Sequence, residues 1–239
     1  MIVGCERDVA FYSFIKNMGH GAIYFCFEGG ALYRICDENG LLGYMLLKSP
    51  SCYLLFEKEP SDEIRDELSH LFEMTGVTEA VSNTELFSRS VPLYVCELDS
   101  LCKRECRAEI KAASGKIYDD CHEILSSVGF PLPPRDEFYV ISFNRAKDGA
   151  PTFYIAEDGK TVATASLIAK NGELALLGAV ATLPECRGKG YAGALVSHAA
   201  AFALERGLTP IITYFAENAG RLYRSIGFFE KATLYKKVF

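Results

Sequence analysis

Residues 176–192 of this 239-residue chain read LLGAVATLPECRGKGYA, an apolar run that passes into a loop containing two glycines. Apolar residues then recur at helical spacing from about residue 192 to 206. The first N–H groups of a helix have no partner inside the helix, and the helix dipole is positive at that end. A glycine-rich loop between a strand and a helix therefore predicts an anion-binding site.

The loop itself is Arg187-Gly188-Lys189-Gly190-Tyr191-Ala192. Its small residues would let phosphate oxygens approach the main chain, and its arginine and lysine add two positive charges. The alternative is a glycine-rich turn whose basic side chains are simply solvated. These six residues alone do not decide between the two, and the sequence on either side of them is needed.

Three antiparallel strands are predicted before the loop, because apolar runs alternate with the hairpin signals Asp158-Gly159 and Asn171-Gly172. The strands cover about 152–157, 161–169 and 174–182. The elements predicted after the loop are a helix over about 192–206 ended by Gly207, a strand over Pro210–Phe215, a helix with Ala219, Leu222, Tyr223 and Ile226 on one face that Gly227 ends, and a last strand from Phe228 to Phe239.

The first hundred residues repeat this order more weakly. A hairpin is predicted around Asn39-Gly40, followed by a strand at Ser51–Phe56, a helix opened by Ser61 and a closing strand at Pro92–Leu98. The shared order suggests a diverged tandem repeat of one fold, although residue identity between the halves is too low to prove it.

Between the halves, residues 100–146 are predicted to be mostly helical, and the charge-rich stretch Lys103–Lys116 is included in that prediction. The chain is thus predicted to divide into two lobes, 1–105 and 106–239. The predicted fold class is α/β, of the α+β type, with a mixed, mostly antiparallel sheet flanked by helices.

The charge balance, 31 acidic against 25 basic residues with a pI of about 5.4, argues against nucleic acid or an anionic membrane as a partner. No apolar run long enough to span a bilayer and no signal peptide is recognisable, so we expect a soluble protein. Nine cysteines, an odd number, favour reduced thiols and the cytoplasm. Only Cys102 and Cys106 approach ligand spacing; we interpret them as two thiols on one helical face and expect no metal.

Two motifs together resemble the GNAT superfamily of acyl-CoA-dependent N-acyltransferases. The pattern [QR]-x-x-G-x-[GA] is met by Arg187–Ala192, and the later pattern L-Y-x-x-x-G-F is met by Leu222–Phe228. The resemblance covers about 135–239. It implies a GNAT fold for this half, with a degenerate GNAT-like lobe before it, and acetyl-CoA as the cosubstrate.

The resemblance also implies how acetyl-CoA is held. Main-chain amides of the loop would bind the CoA pyrophosphate, namely those of Arg187, Gly188, Lys189, Gly190, Tyr191 and Ala192. The backbone of Val180, Ala181 and Thr182 would pair with the pantetheine arm like an added strand. Such pairing is available because this strand and Pro210–Phe215 should splay apart in the fold and leave unpaired backbone groups.

Acyl transfer to an amine needs an oxyanion donor, a proton for the departing thiolate and a base for the amine. A backbone N–H near Val180 or Ala181 would be the oxyanion donor. The resemblance implies that Tyr223 is the general acid, since a phenol with a reference pKa of about 10 can donate a proton. The alternative is that Tyr223 is a core residue of its helix.

The general base is not identified by the resemblance. Leu176 stands where some members of the superfamily carry a glutamate, and Ala216 stands where many carry an asparagine that contacts CoA, with Asn218 two residues later. Three other groups are conceivable bases, although each is more simply explained as a solvated or surface side chain: Glu173, Glu217 and His198.

In the first half, the strand-to-helix connection that corresponds to the glycine loop is Glu57–Glu63. It is acidic and lacks glycine, so it would repel a pyrophosphate. The first lobe is therefore predicted to bind no cofactor and to form a wall of the acceptor cleft.

The predicted function is transfer of an acetyl group from acetyl-CoA, by direct attack on the thioester, to a primary amine of a small molecule or peptide. Two alternatives stay open: a catalytically silent acyl-CoA sensor, and a structural lobe pair whose loop binds nothing. The oligomeric state does not follow from the sequence.

Overall fold

Packing divides the chain into two compact units. The structure, a computed structural model, describes residues 1–26, 29–170 and 173–239. The first unit contains Met1–Val95 together with Glu230–Phe239, and the second contains Cys96–Phe229. The C-terminal segment therefore packs with the N-terminal unit. The predicted lobes, 1–105 and 106–239, stay a prediction about domain extent.

The first unit is built on a sheet covered by helices. Its elements are β1 (Ile2–Gly4), α1 (Val9–Met18), a 3-10 helix (Gly19–Cys26), β2 (Ala31–Asp37), β3 (Gly40–Lys48), β4 (Ser51–Phe56), α2 (Asp62–Thr75), β5 (Glu79–Ser82) and the start of β6 (Val91–Leu98). Pairing is antiparallel from β1 to β4 and parallel between β4 and β5. Helix α2 buries Ile64, Leu68 and Phe72 against this sheet, and it begins after Ser61 as predicted.

The second unit has the same order of elements. They are β7 (Ile110–Ala112), α3 (Ile117–Ser127), α4 (Arg135–Lys147), β8 (Thr152–Glu157), β9 (Lys160–Lys170), β10 (Leu174–Thr182), α5 (Tyr191–Leu204), β11 (Thr209–Tyr214) and α6 (Glu217–Ile226). Pairing is antiparallel from β7 to β10 and parallel between β10 and β11. The last strand, β12 (Phe228–Val238), pairs with β5 of the first unit through Tyr235–Val238.

The two units therefore share one plan: a strand, helices, three antiparallel strands, a crossover helix and a parallel strand. The repeat that the sequence suggested is confirmed at the level of the fold, as is the α/β class with a mixed, mostly antiparallel sheet. The hairpin signals explain part of this agreement. Asp158 and Gly159 adopt φ angles of +50° and +80°, as a two-residue hairpin requires. The signal at Asn171-Gly172 lies outside the described residues.

The prediction for the connecting segment was wrong in part. Lys103–Lys116 is not helical, and it contains the short strand β7 instead. Its charges follow no apolar period, and its conformation is fixed by contacts with distant elements. The Arg104 backbone N–H donates to Ser197 Oγ at 3.0 Å, and Arg104 Nη2 donates to the Ser225 carbonyl at 2.8 Å. Cys102 and Cys106 consequently share no helical face.

Four elements of the first unit carried no sequence prediction: β1, α1, the 3-10 helix at Gly19–Cys26, and β5. Each is short or partly exposed, so its apolar pattern is weak. Within the described residues, no helix combines the length and apolar character needed to cross a bilayer.

Candidate active site

The site begins where β10 and β11 separate. Their parallel register runs from Leu174 opposite Thr209 to Leu177 opposite Ile212, and among the described residues it stops there although both strands continue. From residue 178 onward, β10 is paired only on its β9 side. The predicted separation of these two strands is confirmed, and it leaves one backbone edge of 178–182 without a strand partner.

Strand β10 is also bulged at this point. Its register with β9 shifts between Gly178, opposite Ser166, and Ala181, opposite Thr164. Ala179 adopts a φ of +50°, which is uncommon for a residue with a side chain. Bulges of this kind redirect backbone groups and occur beside active sites. The bulge takes Val180 out of the register with β9.

The glycine loop leaves open space in front of its main chain. Gly188 and Gly190 both adopt left-handed conformations, with φ angles of +80° and +83°. A Cβ atom at either position would meet nothing within 4 Å. Gly190 is also the N-cap of α5, and no side chain caps that helix. The first N–H groups of α5 therefore keep their hydrogen-bonding capacity for a ligand.

Glu157, the last residue of β8, gathers the polar side chains of the loop. Lys189 Nζ lies 2.9 and 2.8 Å from its two carboxylate oxygens, the Tyr191 hydroxyl donates to it, and Cys186 Sγ lies 3.5 Å away. These donors, Lys189 foremost, hold the pKa of Glu157 below its ordinary value. The same hydrogen bonds raise the pKa of Lys189 and of Tyr191. Of the two predicted loop cations, Lys189 is thus already paired within the protein.

Arg187 makes a different contact. Its Nε donates to the Thr182 carbonyl at 3.3 Å, and no carboxylate is paired with it among the described residues. The guanidinium therefore joins the loop to the end of β10. The backbone edge predicted to meet the pantetheine arm is consequently freest at Val180 and Ala181.

Tyr223 lies on α6, beside the first turn of α5. A Cβ atom at Gly193 would be only 3.4 Å from Leu222 Cδ1, so the two helices approach closely here. Tyr223 is 6% exposed, and its ring centroid lies 6.2 Å from that of Tyr214 and 6.3 Å from that of Phe228. Burial, with a smaller contribution from a nearby thiol, raises the pKa of Tyr223 above its ordinary value. The hydroxyl is therefore protonated at neutral pH.

No carboxylate considered as a general base lies in a favourable position. The position where the resemblance would place a glutamate is held by Leu176, which is 1% exposed. Glu217 is exposed and forms an ion pair with Arg224. Glu173 precedes β10, whose opposite end leads to the loop, so it is separated from the loop by the length of the strand.

Two further side chains are accounted for by local contacts. His198 packs against Phe153 at 4.7 Å between ring centroids, and partial burial lowers its pKa. Asn218 is exposed and its Oδ1 accepts from the Ala219 backbone N–H at 2.9 Å. Neither is drawn into the space before the loop. Among the described residues, no group of three His, Cys, Asp or Glu side chains could hold a metal ion.

The equivalent junction in the first unit is closed by a side chain. The parallel register of β4 and β5 ends with Leu54 opposite Ser82. Immediately beyond, Asn83 bonds both main-chain groups of Phe56: its Oδ1 accepts from the N–H at 2.8 Å, and its Nδ2 donates to the carbonyl at 2.7 Å. The backbone edge that stays open on β10 is therefore occupied on β4.

The N-terminus of α2, the helix that follows β4, is also occupied by side chains. Ser61 caps α2 by accepting from the Ile64 N–H, and Asp62 and Glu63 place two negative charges in the first turn. A helix N-terminus with a capping side chain and acidic neighbours has little capacity for a phosphate. The two units share a fold but present opposite chemistry at the same junction.

Sequence reasoning missed Glu157 and Asn83. Glu157 directly precedes the Asp158-Gly159 turn, and in an antiparallel sheet β8 ends at the same edge as β10. That topology was a usable signal for Glu157. Asn83 had none, because it follows β5, which the sequence did not predict.

The end of the β10–β11 pairing and the uncapped N-terminus of α5 are the features around which the candidate site is built. The comparisons with known proteins identify the class of domain. Residues 116–231 match the model of the Acetyltransferase (GNAT) family. This half of the chain is a GNAT acetyltransferase domain, as the sequence motifs predicted.

Solved structures extend the likeness to the whole chain. An acetyltransferase of the GNAT family from Colwellia psychrerythraea is 15% identical, with a TM-score of 0.63 over 100% of both chains. A GCN5-related N-acetyltransferase from Sphaerobacter thermophilus is 14% identical, with a TM-score of 0.62 over 100% of this chain and 95% of the other.

A tandem GNAT protein from the clavulanic acid biosynthesis pathway is 11% identical, with a TM-score of 0.55 over 100% of this chain and 98% of the other. At these identities the likeness shows the fold alone. No curated protein sequence matched the chain.

The Glu157 contacts lead to a prediction for CoA affinity. Glu157→Gln keeps the size of the side chain and an acceptor for Tyr191, but it removes the charge that neutralises Lys189. We expect CoA to bind about two- to fivefold more tightly at low salt, as befits a partly exposed ion pair. Calorimetry at two salt concentrations measures the change, and the gain should shrink at the higher one.

Glu185→Gln is the matched control for this experiment, because Glu185 is an exposed acid near the same loop and only 3.8 Å from Lys160 Nζ. It should leave affinity unchanged. Weaker CoA binding by Glu157→Gln would mean that Glu157 holds the loop in its binding conformation rather than competing with the ligand.

Proposed function

We propose that the protein transfers an acetyl group from acetyl-CoA to a primary amine, and that the cofactor binds only in the second unit. The match of residues 116–231 to the GNAT family supports acyl transfer as the reaction class. The donor, the acceptor and the role of each residue belong to the proposal.

One observation carries it. The backbone edge opened by the separation of β10 from β11 leads, within one loop, to the uncapped N-terminus of α5. Acetyl-CoA has amide groups along its pantetheine arm and a pyrophosphate at the end of that arm farther from the thioester. The arm would bond the backbone of Val180, Ala181 and Thr182, chiefly the first two, and the pyrophosphate would meet the amides of Arg187–Ala192. The acetyl group would then lie at the bulge.

The chemistry follows from that placement. The amine nitrogen attacks the thioester carbon, and negative charge develops on the carbonyl oxygen. A backbone N–H at the bulge, near Val180 or Ala181, would stabilise this charge. When the carbon–sulfur bond breaks, Tyr223 would donate its proton to the sulfur as the thiolate leaves. The nitrogen loses a proton to water or to a base, and an amide forms.

The amine must reach the site neutral. With Leu176 in place of a glutamate and Glu217 ion-paired, we assign its deprotonation to solvent water rather than to a named residue. The rate should therefore follow the neutral fraction of the acceptor amine.

The first unit would bind no CoA. Asn83 already satisfies the backbone of Phe56, and Ser61 already caps α2. A ligand would have to displace both and approach two acidic side chains. We propose that this unit has kept the fold without the cofactor site.

Gly190→Glu tests the pyrophosphate site. The added carboxylate would stand in the open space before the loop, and repulsion should weaken CoA binding about a hundredfold or more. Gly190→Gln is the control, because it imposes the same backbone strain at positive φ and nearly the same volume without the charge. Calorimetry with CoA compares the two, and circular dichroism checks that both fold. Equal CoA affinity of the two variants would mean that the pyrophosphate does not bind at this loop.

Tyr223→Phe tests the acid. The change removes only the hydroxyl, so stability and acetyl-CoA affinity should stay nearly the same. The kcat should fall about a hundredfold or more under conditions where acyl transfer limits the rate, measured by thiol release. Tyr235→Phe, a partly buried tyrosine on β12, should retain full activity.

The pH profile adds a second criterion. Because burial raises the pKa of Tyr223, its hydroxyl stays protonated through the alkaline range, and the wild-type rate should show no loss from this group up to about pH 10. A kcat unaffected by Tyr223→Phe would make Tyr223 a core residue. Tight acetyl-CoA binding with no turnover on any amine would instead identify the chain as a sensor.

A further inference from the structure

An arginine on α4 faces the interior without an acidic partner. Phe138 and Ser142 form the buried face of α4, and Arg145 lies three residues further along the same face. Arg145 Nη2 donates to Ser142 Oγ at 3.2 Å, while Arg145 Nε is buried and has no hydrogen-bond partner among the described residues. Among the described residues, its side chain therefore donates a hydrogen bond only to a neutral hydroxyl.

The contrast with another arginine on the same helix is informative. Arg135, at the first turn of α4, pairs with Glu123 and approaches Asp119. The chain has an excess of acidic residues, yet none of those described is near Arg145, where the interacting group is Tyr118. Burial lowers the pKa of Arg145, but arginine remains charged in proteins. Arg145 is partly buried, and a partly buried charge without a counter-ion is less favourable than a paired one, so a bound anion would stabilise it.

The position of Arg145 connects it to the proposed reaction centre. Its neighbour Tyr118 belongs to a packed cluster on α3 and α4 that includes Ala181, with Ala179 against it. Both alanines belong to the bulged part of β10. Helix α3 therefore packs on β9 and β10, and α4 packs on α3, with Arg145 on the face of α4 that carries Phe138.

We propose that Arg145 binds a carboxylate of the acceptor, so that the protein acetylates amines that also carry a carboxylate, as amino acids do. This inference rests on the proposed function. The planar guanidinium would form two hydrogen bonds to the carboxylate after a shift of its side chain that exposes Nε, and would orient the amine towards the thioester. Arg145 is then a residue that determines specificity rather than one that touches the reacting atoms.

The test measures binding apart from turnover. A panel of N-acetylated amino acids, which would be the products, and their matched carboxamides is titrated into the protein with and without CoA. In the wild-type protein, at least one carboxylate should bind about 10- to 100-fold more tightly than its carboxamide. Arg145→Met should reduce that ratio to about one, and Arg145→Lys should keep part of it. Arg135→Met, on the same helix, should leave it unchanged.

Stability distinguishes this role from a structural one. Because the guanidinium lacks a partner in the free protein, Arg145→Met should leave the unfolding midpoint unchanged or raise it. The inference is overturned if no panel member is preferred over its carboxamide, or if Arg145→Met keeps the preference. Should Arg145→Met fail to fold, an undiminished preference in Arg145→Lys would overturn it equally.

The two proposals fail separately. If the protein prefers carboxylates but releases no thiol with any amine, the role of Arg145 is supported and the acetyltransferase proposal is contradicted. If the protein acetylates amines and their carboxylate-bearing analogues equally well, the acetyltransferase proposal is supported and the role of Arg145 is contradicted.

Discussion

Backbone N–H and carbonyl groups require partners, and the separation of β10 from β11 creates a row of them without a strand neighbour. The rest of the candidate site is organised around that unpaired edge. The bulge at Ala179 redirects it, the loop continues it into the N-terminus of α5, and α3 packs on β10. An extended ligand with amides and a terminal phosphate is the partner whose chemistry fits all of these parts.

The two units show two solutions to the same constraint. Where β4 leaves β5, the side chain of Asn83 supplies the missing hydrogen bonds, and Ser61 caps the next helix. Where β10 leaves β11, neither substitute is present among the residues that the structure describes. A repeat can therefore preserve its fold while one copy closes the junction with its own side chains. Glu157 is an intermediate case, since it pairs with Lys189 but leaves the main chain of the loop open.

Much of this could be predicted from the sequence where the signals were local. The bounds of β10, 174–182, agreed with the structure, because a continuous apolar run is followed by a glycine loop. The prediction failed at Lys103–Lys116, whose conformation depends on contacts with Ser197 and Ser225 far along the chain. Arg145 carried no sequence signal, because only the packing of α4 shows that its Nε is buried and that no described carboxylate pairs with it.

Amide hydrogen exchange, with and without acetyl-CoA, measures directly where CoA contacts the main chain. The open junction should become protected, with slower exchange at residues 178–182 and at the first amides of α5, residues 191–193. The closed junction of the first unit, residues 56–64, should exchange at the same rate in both samples. Protection at 56–64, or none at 191–193, would contradict the account.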